Sequence, residues 1–171
     1  MKNFFDLISS RHSTRAFKNI SISEDMINSI LNVAIKGPSA GNLQSYQIFI
    51  VDKKTEKEKL AEAAHGQNYI LEAPIVMIFC ADPIRCSMEY GSRGEQLFSI
   101  QDATIACAYS QIAVHELGLS SVWIGSFNEE KVQGILKLEN IKPVAILPIG
   151  FANEIPQITT RRSIDQIVHK I

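Results

Sequence analysis

Two arginine-containing segments carry the clearest chemical signal in the sequence. Arg11, Ser13 and Arg15 alternate, so their side chains point the same way if the segment is extended. Forked guanidinium groups and a hydroxyl match the charge and the acceptor oxygens of a phosphate monoester. Arg161 and Arg162 follow two threonines and offer a second phosphate contact. Taken alone, the first segment is also typical of a solvated basic turn, and the second of an exposed basic tail.

A second group of residues suits a planar ligand that forms hydrogen bonds. The segment 38–44, PSAGNLQ, combines small residues with amides, which permits close approach of its backbone to a ring. It is equally typical of a loop that ends a helix. Gly125 and Ser126 end a predicted strand and can present backbone N–H groups without obstruction. Such donors stabilise the negative charge of a reduced flavin, so these residues are candidates for a ring-binding site.

The sequence lacks the motifs of several other kinds of site. No G-x-G-x-x-G follows a strand and no G-x-x-x-x-G-K-[ST] occurs, which argues against a Rossmann dinucleotide site and a P-loop. Leu119 stands where a zinc protease motif beginning at His115 would need its second histidine, so no metal site is predicted. No base is identifiable beside a nucleophile, and we expect no catalytic side chain. The cysteines are predicted to be packing residues: Cys80, Cys86 and Cys107.

Composition and charge indicate one globular domain, 1–171. The 171 residues are 46% hydrophobic and 20% charged, and the formal net charge of -1 provides no field that would concentrate nucleic acid or an anionic membrane. Residues 1–10 lack the apolar run of a signal peptide, and apolar stretches such as 75–81 are shorter than the ~20 residues of a membrane-spanning helix. An odd number of cysteines argues against a disulfide framework. We therefore expect a cytoplasmic protein without nucleic-acid or membrane partners.

Hydrophobic periodicity predicts the elements that would position these residues. A first helix is predicted to end near residue 9, and a second to run from an S-x-x-E capping box at 21–24 to the Gly-Pro pair at 37–38. Further helices are predicted at 55–64, 95–117 and 129–137. Strands are predicted at 47–51, 74–81, 120–124 and 143–149. The strand 74–81 is apolar throughout, which predicts a central place in the sheet. Residues 152–171 should form an exposed tail. Strands and helices mix without a regular βαβ rhythm, which indicates an α+β fold with a helix-covered sheet.

In this order, the motifs resemble those of the nitroreductase family of FMN-dependent enzymes over nearly the whole chain. RHSTR at 11–15 resembles the family's R-x-S-x-R phosphate segment, and PSAGNLQ at 38–44 resembles its P-S-x-x-N-x-Q loop. QDA at 101–103 resembles the start of its central helix, and 119–127 resembles the strand and turn under the flavin ring. The resemblance implies an α+β nitroreductase-like fold with a central mixed or antiparallel sheet, in an intertwined homodimer with FMN at the interface.

The same resemblance implies roles for the candidate cofactor-binding residues. Those at the phosphate would be Arg11, Ser13, Arg15 and Arg161, with Arg162 as a helper, and His12 is a further cofactor-binding candidate in the same segment. Those on the ring from the partner subunit would be Pro38, Ser39 and Asn42, while Ile124, Gly125 and Ser126 would lie along the ring. Gln44 would support the ring or the loop around Asn42, and Gln67 is a further candidate.

The family's chemistry implies ping-pong transfer of hydride from NADH or NADPH via FMN to a nitro compound, a quinone or another conjugated acceptor. At 171 residues the chain is shorter than the nitroaromatic reducers that give the family its name, so a reduced lid over the substrate pocket is expected. Three alternatives stay open. They are a flavin-processing or reductively dehalogenating relative, a flavin-binding module without NAD(P)H turnover, and a protein that binds another phosphorylated ligand.

Overall fold

The computed structural model describes residues 3–171. Met1 and Lys2, the first residues of the segment inspected for a signal peptide, lie outside the described residues. The helices in 3–171 are α1 (Phe4–Ser10), α2 (Glu24–Ala34), α3 (Lys54–Ala63), α4 (Tyr69–Glu72), α5 (Pro83–Arg93), α6 (Ser99–Glu116) and α7 (Glu129–Leu136). The strands are β1 (Tyr46–Val51), β2 (Ile75–Ala81), β3 (Ser120–Ser121) and β4 (Lys142–Gly150). Within this part of the chain, no helix is both long and apolar enough to span a membrane.

The four strands form one antiparallel sheet in the order β1-β2-β4-β3. Strand β2 pairs with β1 on one side and with β4 on the other, and all of its residues are buried. A strand covered on both faces needs apolar side chains at every position, which is what its sequence provides. The predicted central strand and the α+β class are therefore confirmed.

The core lies in two layers, one on each face of the sheet. Because side chains alternate along a strand, Met77 and Phe79 of β2 pack against α2 and α6, whereas Val76 and Ile78 pack toward α3, α4 and α7. Full burial of side chains of this size contributes about 1.5–3 kcal/mol each. These two layers hold in place the edge strand β3 and the ends of α1, α2 and α6, next to which the candidate site residues lie.

Two local predictions need correction at element boundaries. The N-cap of α2 is Ser23, whose hydroxyl accepts a hydrogen bond from the Met26 N–H at 3.3 Å, and not the serine two residues earlier that was placed in a capping box. The S-x-x-E segment lies two residues too early, because α2 begins at Glu24 and the N-cap is the residue directly before it. Strand β3 has two residues rather than five, because the chain leaves the sheet after Ser121 and rejoins β4 only at a single bridge from Ile124 to Ile146.

The predicted long helix 95–117 also differs at its start. Its first turn belongs to a π-helical segment, Gly94–Phe98, which joins the unpredicted helix α5 to α6. Helix α5 begins at an Asp82 cap that accepts the Arg85 N–H at 3.0 Å, and it is interrupted at Gly91, where φ is 55°. A β-carbon at Gly94 would meet the Cys86 carbonyl oxygen at 2.5 Å, so the tight junction requires glycine there.

Candidate cofactor-binding site

The segment 11–15 follows α1 and runs extended beside β3. The Thr14 N–H donates to the Ser121 carbonyl at 3.1 Å, and Ser13 forms a parallel bridge with Ser121. Thr14 is buried, while Arg11 and Ser13 are only partly covered. The extended backbone therefore turns Thr14 inward and leaves the alternate side chains facing outward, as the spacing predicted.

The start of the tail runs back along this segment. The Lys18 N–H donates to the Phe151 carbonyl at 2.8 Å, and the Asn153 N–H donates to the Ala16 carbonyl at 2.9 Å. One residue further along, the Glu154 carboxylate accepts the Arg15 N–H. This short antiparallel pairing brings the second arginine segment close to the first, although the two lie near opposite ends of the chain.

The two segments enclose a cavity of about 520 Å³. Its lining includes four of the five predicted phosphate residues, Arg11, Ser13, Arg15 and Arg161, together with the further candidate His12 and with Glu154, Ile155, Gln157 and Thr159. Arg161 donates to the Thr159 hydroxyl at 3.0 Å within the cavity wall. Arg162 is not part of this lining, because its guanidinium points elsewhere and donates to the Gln166 carbonyl at 2.6 Å. The two arginines are neighbours in sequence and were predicted to act together, but only Arg161 lines the cavity.

The electrostatics of the cavity favour an anion. Burial lowers the pKa of Arg11, and the positive charge of Arg161 lowers it further. Among residues 3–171, the ion pairs closer than 4.0 Å involve neither guanidinium. An anion bound between the two arginines would offset both their repulsion and the loss of hydration.

Glu154 is a residue of this cavity that the sequence analysis missed. Its carboxylate accepts the N–H of a residue 139 positions away, so no local pattern could have indicated it. The bond satisfies a backbone donor of the arginine segment and fixes the tail against it. Glu154 therefore shapes the cavity while adding a negative charge to its rim.

The loop 38–44 adopts an unusual backbone held by internal hydrogen bonds. Gly41, Asn42 and Gln44 all have positive φ, at 53°, 58° and 51°. The Ser39 hydroxyl accepts the Gln44 N–H at 3.0 Å, and the Asn42 side-chain oxygen accepts from the Gln44 amide at 3.4 Å. Pro38, Asn42 and Gln44 are exposed and Ser39 is partly covered, so all of them remain accessible to a ligand.

Asp102, at the start of α6, anchors both ends of this loop. Its carboxylate oxygens accept the Ala40 N–H at 2.9 Å and the Ser45 N–H at 3.2 Å. The sequence analysis placed Asp102 in the QDA motif without giving it a role. Burial raises the pKa of the neighbouring Tyr46 phenol, and the negative charge of Asp102 raises it further.

The turn after β3 presents the other ring candidates. Ile124 is buried and exchanges backbone hydrogen bonds with Ile146 at 2.9 and 3.0 Å. Gly125 and Ser126, which follow it, are exposed. The Gln67 amide, from the loop between α3 and α4, donates to the Ser126 carbonyl at 3.1 Å. Gln67, the further candidate named from the sequence, therefore supports this turn.

A single chain does not bring the loop and the arginine cavity together. The loop borders a separate cavity of about 460 Å³, lined by Pro38, Ser39, Ala40, Phe98, Gln101, Asp102, Thr104 and Ile105. None of these residues lines the arginine cavity. The two halves of the candidate site thus lie at different places on the molecular surface.

A larger cavity, about 660 Å³, lies between α3 and α7 and contains none of the predicted site residues. Its rim carries exposed ion pairs between Lys59 and Glu56 at 3.1 Å and between Lys131 and Glu62 at 2.8 Å. Exposed pairs of opposite charge cancel each other and are well solvated. We therefore assign no binding role to this cavity despite its size.

The three cysteines are free and buried. Burial raises the pKa of Cys80 to about 12 and that of Cys107 well above its usual value. We expect a thiol reagent at pH 8 to react with none of them in the native protein and with all three after unfolding, because burial keeps the reagent away from each thiol. For Cys80 and Cys107 the raised pKa also suppresses the thiolate, which is the reactive species. Replacing each cysteine by serine should leave turnover intact in variants that fold. A thiol that titrates rapidly in the native state, or a folded serine variant without activity, would contradict this assignment.

Comparison with known proteins supports the fold. The family model described as "Nitroreductase family" matches residues 8–151. A protein of Methanothermobacter thermautotrophicus, proposed to be an NADH dehydrogenase/NAD(P)H nitroreductase, is 30% identical over 158 residues, which cover 88% of this chain and 78% of the relative.

Two solved structures superpose closely on the chain. The structure of B. megaterium NfrA2 is 27% identical with a TM-score of 0.91, and the match covers 99% of this chain and 74% of the other. An NADPH:FMN oxidoreductase from Vibrio harveyi, complexed with NAD+, is 23% identical with a TM-score of 0.91, and the match covers 99% and 77% of the two chains. Both structures share the fold described above.

Proposed function

Because the chain belongs to the nitroreductase family, we propose that it is an NAD(P)H-dependent oxidoreductase that uses FMN as its cofactor. The proposal is carried by one observation, the cavity in which Arg11, Ser13 and Arg161 converge. The family membership supplies the class of chemistry, and the cavity supplies a place for the part of FMN that carries charge. The free cysteines fit a reducing compartment, and we place the protein in the cytoplasm.

The donors of the cavity fit the phosphate of FMN. A phosphate monoester carries about -1.5 to -2 charges at pH 7 and offers three acceptor oxygens. Two guanidinium groups and the Ser13 hydroxyl supply donors of the right kind, and a bound phosphate would compensate the burial and the like charge that lower the pKa of Arg11. A hydrogen bond to a charged group contributes about 1.5–3 kcal/mol, so two arginines together would strengthen the binding of FMN by about two to four powers of ten.

We further propose that the ring lies between two subunits. Gly125 and Ser126 of one chain would run along the ring, while Ser39 and Asn42 of the second chain would contact it. This arrangement would account for the fact that the arginine cavity and the cavity beside Ser39 share no residue in one chain. Exposed apolar side chains support a partner of the same kind, since large apolar surfaces mark interfaces. They are concentrated in α1 and the tail: Phe4, Phe5, Ile155, Ile158, Ile164, Ile167 and Val168.

When bound, FMN would supply the hydride-transfer chemistry between the nicotinamide nucleotide and an acceptor such as a nitro compound or a quinone. The chain's own residues would bind and orient the cofactor. The arginines would hold the phosphate, and the backbone N–H groups of the exposed residues Gly125 and Ser126 would stabilise negative charge on the ring. The Gln67 amide keeps that turn in position through the Ser126 carbonyl. The buried cysteines take no part.

Anaerobic stopped-flow spectroscopy of the protein loaded with FMN tests this function. Addition of NADH or NADPH should bleach the flavin absorbance, and a quinone or nitroaromatic should restore it. Initial rates over a grid of both substrates should give parallel double-reciprocal lines, as expected when donor and acceptor use the same site in turn. A yellow protein that neither nucleotide bleaches would instead be a flavin-binding module, and a protein that does not retain FMN would point to another phosphorylated ligand.

A further inference from the structure

The buried carboxylate of Asp102 lies beside the loop 38–44 and forms hydrogen bonds with the backbone at both of its ends. Asp102 is 2% exposed and lies in the first turn of the long helix α6. Its two oxygens reach N–H groups at the two ends of the loop, on Ala40 and Ser45, which are 62 and 57 residues away in sequence. A buried carboxylate is costly unless it is hydrogen-bonded, so these two bonds compensate its burial and tie the loop to α6.

The backbone between these two bonds needs such an anchor. Asn42 and Gln44 adopt the left-handed conformation without being glycine, and Gly41 adopts it as well. Sparsely populated conformations persist only where surrounding contacts determine them. Within the loop, the Ser39 hydroxyl bonds to the Gln44 N–H, and Arg85 donates to the Leu43 carbonyl at 2.6 Å. Asp102 adds the restraints at both ends.

We propose that Asp102 is a positioning residue that holds Ser39 and Asn42 in the conformation in which they contact the FMN ring. This inference rests on the proposed function, because it assigns FMN as the ligand of the loop. It makes Asp102 act through backbone N–H groups, without touching the cofactor itself. The carboxylate is needed rather than the side-chain volume, since only a carboxylate offers acceptors to both N–H groups at once.

The first test is hydrogen exchange of the Ala40 and Ser45 amides in Asp102→Asn. The amide side chain keeps the size of the carboxylate but replaces one acceptor oxygen by an NH₂ donor. We expect at least one of the two amides to exchange about tenfold faster, since a lost restraint of 1.4 kcal/mol changes an equilibrium by that factor. Ser110→Ala is the matched control, because Ser110 is also buried in α6 but its hydroxyl bonds to the Ala106 carbonyl within the helix.

The second test is FMN titration of the same variants. Asp102→Asn should bind FMN about tenfold more weakly, because the ring contact depends on the loop conformation. Asn42→Gly, which keeps the positive φ and removes the side chain, should weaken FMN binding in the wild-type background and have little additional effect in the Asp102→Asn background. If Asp102 served only the stability of the fold, the losses of FMN-binding free energy caused by the two substitutions would add. Ser110→Ala should match the wild type in both measurements.

A third variant keeps the proposal testable if Asp102→Asn does not fold. Ala40→Pro removes one of the two N–H donors and puts a ring carbon where the hydrogen bond to Asp102 was, so it breaks the anchor at one end of the loop while the aspartate itself is kept. It should weaken FMN binding in the same direction. Unchanged amide exchange in Asp102→Asn, or faster exchange with unchanged FMN affinity, would overturn the proposal. Failure of the wild type to bind FMN would instead refute the proposed function, while the exchange experiment would still report on the anchor.

Discussion

Replacing Arg11 by alanine is expected to weaken FMN binding by about ten- to a hundredfold, because it removes a charge-assisted contact worth about 1.5–3 kcal/mol. Arg11 is the guanidinium whose pKa is lowered by burial and by the nearby positive charge of Arg161. Part of the loss should be offset in the variant, since Arg161 no longer faces a like charge. Equilibrium titration of the apoprotein, followed by quenching of flavin fluorescence, measures the change.

The neighbouring arginines of the tail provide the control for this experiment. Arg161→Ala should behave like Arg11→Ala, since both side chains line the same cavity. Arg162→Ala should change the affinity by no more than about threefold, because its guanidinium bonds to the Gln166 carbonyl and an exposed charge outside the cavity contributes little. Arg11→Lys should fall between wild type and alanine, as lysine keeps the charge without the forked donors. Equal losses in Arg161→Ala and Arg162→Ala would show that the cavity does not define the phosphate contact.

Replacing Ile164 and Ile167 together by aspartate is expected to dissociate the protein into subunits and to release FMN at the same time. These side chains are 78% and 58% exposed in the single chain, although both are large and apolar. Burial at a subunit interface would contribute about 1.5–3 kcal/mol for each, so two charges there should shift the monomer–dimer equilibrium by about a hundredfold or more. Sedimentation velocity recorded at a flavin absorption band reports the size and the cofactor content together.

The matched variant carries leucine at both positions and should remain a flavin-loaded dimer. Leucine preserves the apolar area and adds no charge, so it separates interface chemistry from any local effect on the short 3-10 turn that begins at Ile164. A monomer that still carries FMN would contradict the shared site. A dimer unaffected by the two aspartates would show that these tail residues do not lie at the subunit interface.

Much of the fold could be predicted because its determinants are local. The unbroken apolar run of β2 indicated a strand covered on both faces, and the structure places it between β1 and β4. Spacing alone indicated which residues of 11–15 share a side. The length of β3 was overestimated, because strand propensity continues after Ser121 while the chain there leaves β4 and returns to it only at the bridge from Ile124 to Ile146. Helix α5 was missed, since Gly91 interrupts its pattern.

The parts of the candidate site that could not be predicted depend on long-range contacts. Glu154 enters the arginine cavity only because the tail pairs with residues 16–18, and Asp102 reaches the loop only because α6 packs beside it. The difference between Arg161 and Arg162 likewise follows from the path of the tail. Sequence shows which chemistry a side chain offers, whereas these contacts decide which other groups it meets.

In the proposed function, FMN binds through its phosphate in the cavity between Arg11 and Arg161. Parallel titrations of the apoprotein with FMN and with riboflavin, which has the same ring and ribityl chain but no phosphate, isolate the contribution of that phosphate. We expect FMN to bind at least about tenfold more tightly, since a single charge-assisted hydrogen bond already accounts for that factor. Arg11→Ala should bring the two affinities closer together. Equal affinities for FMN and riboflavin in the wild type would contradict the assignment of this cavity to the phosphate.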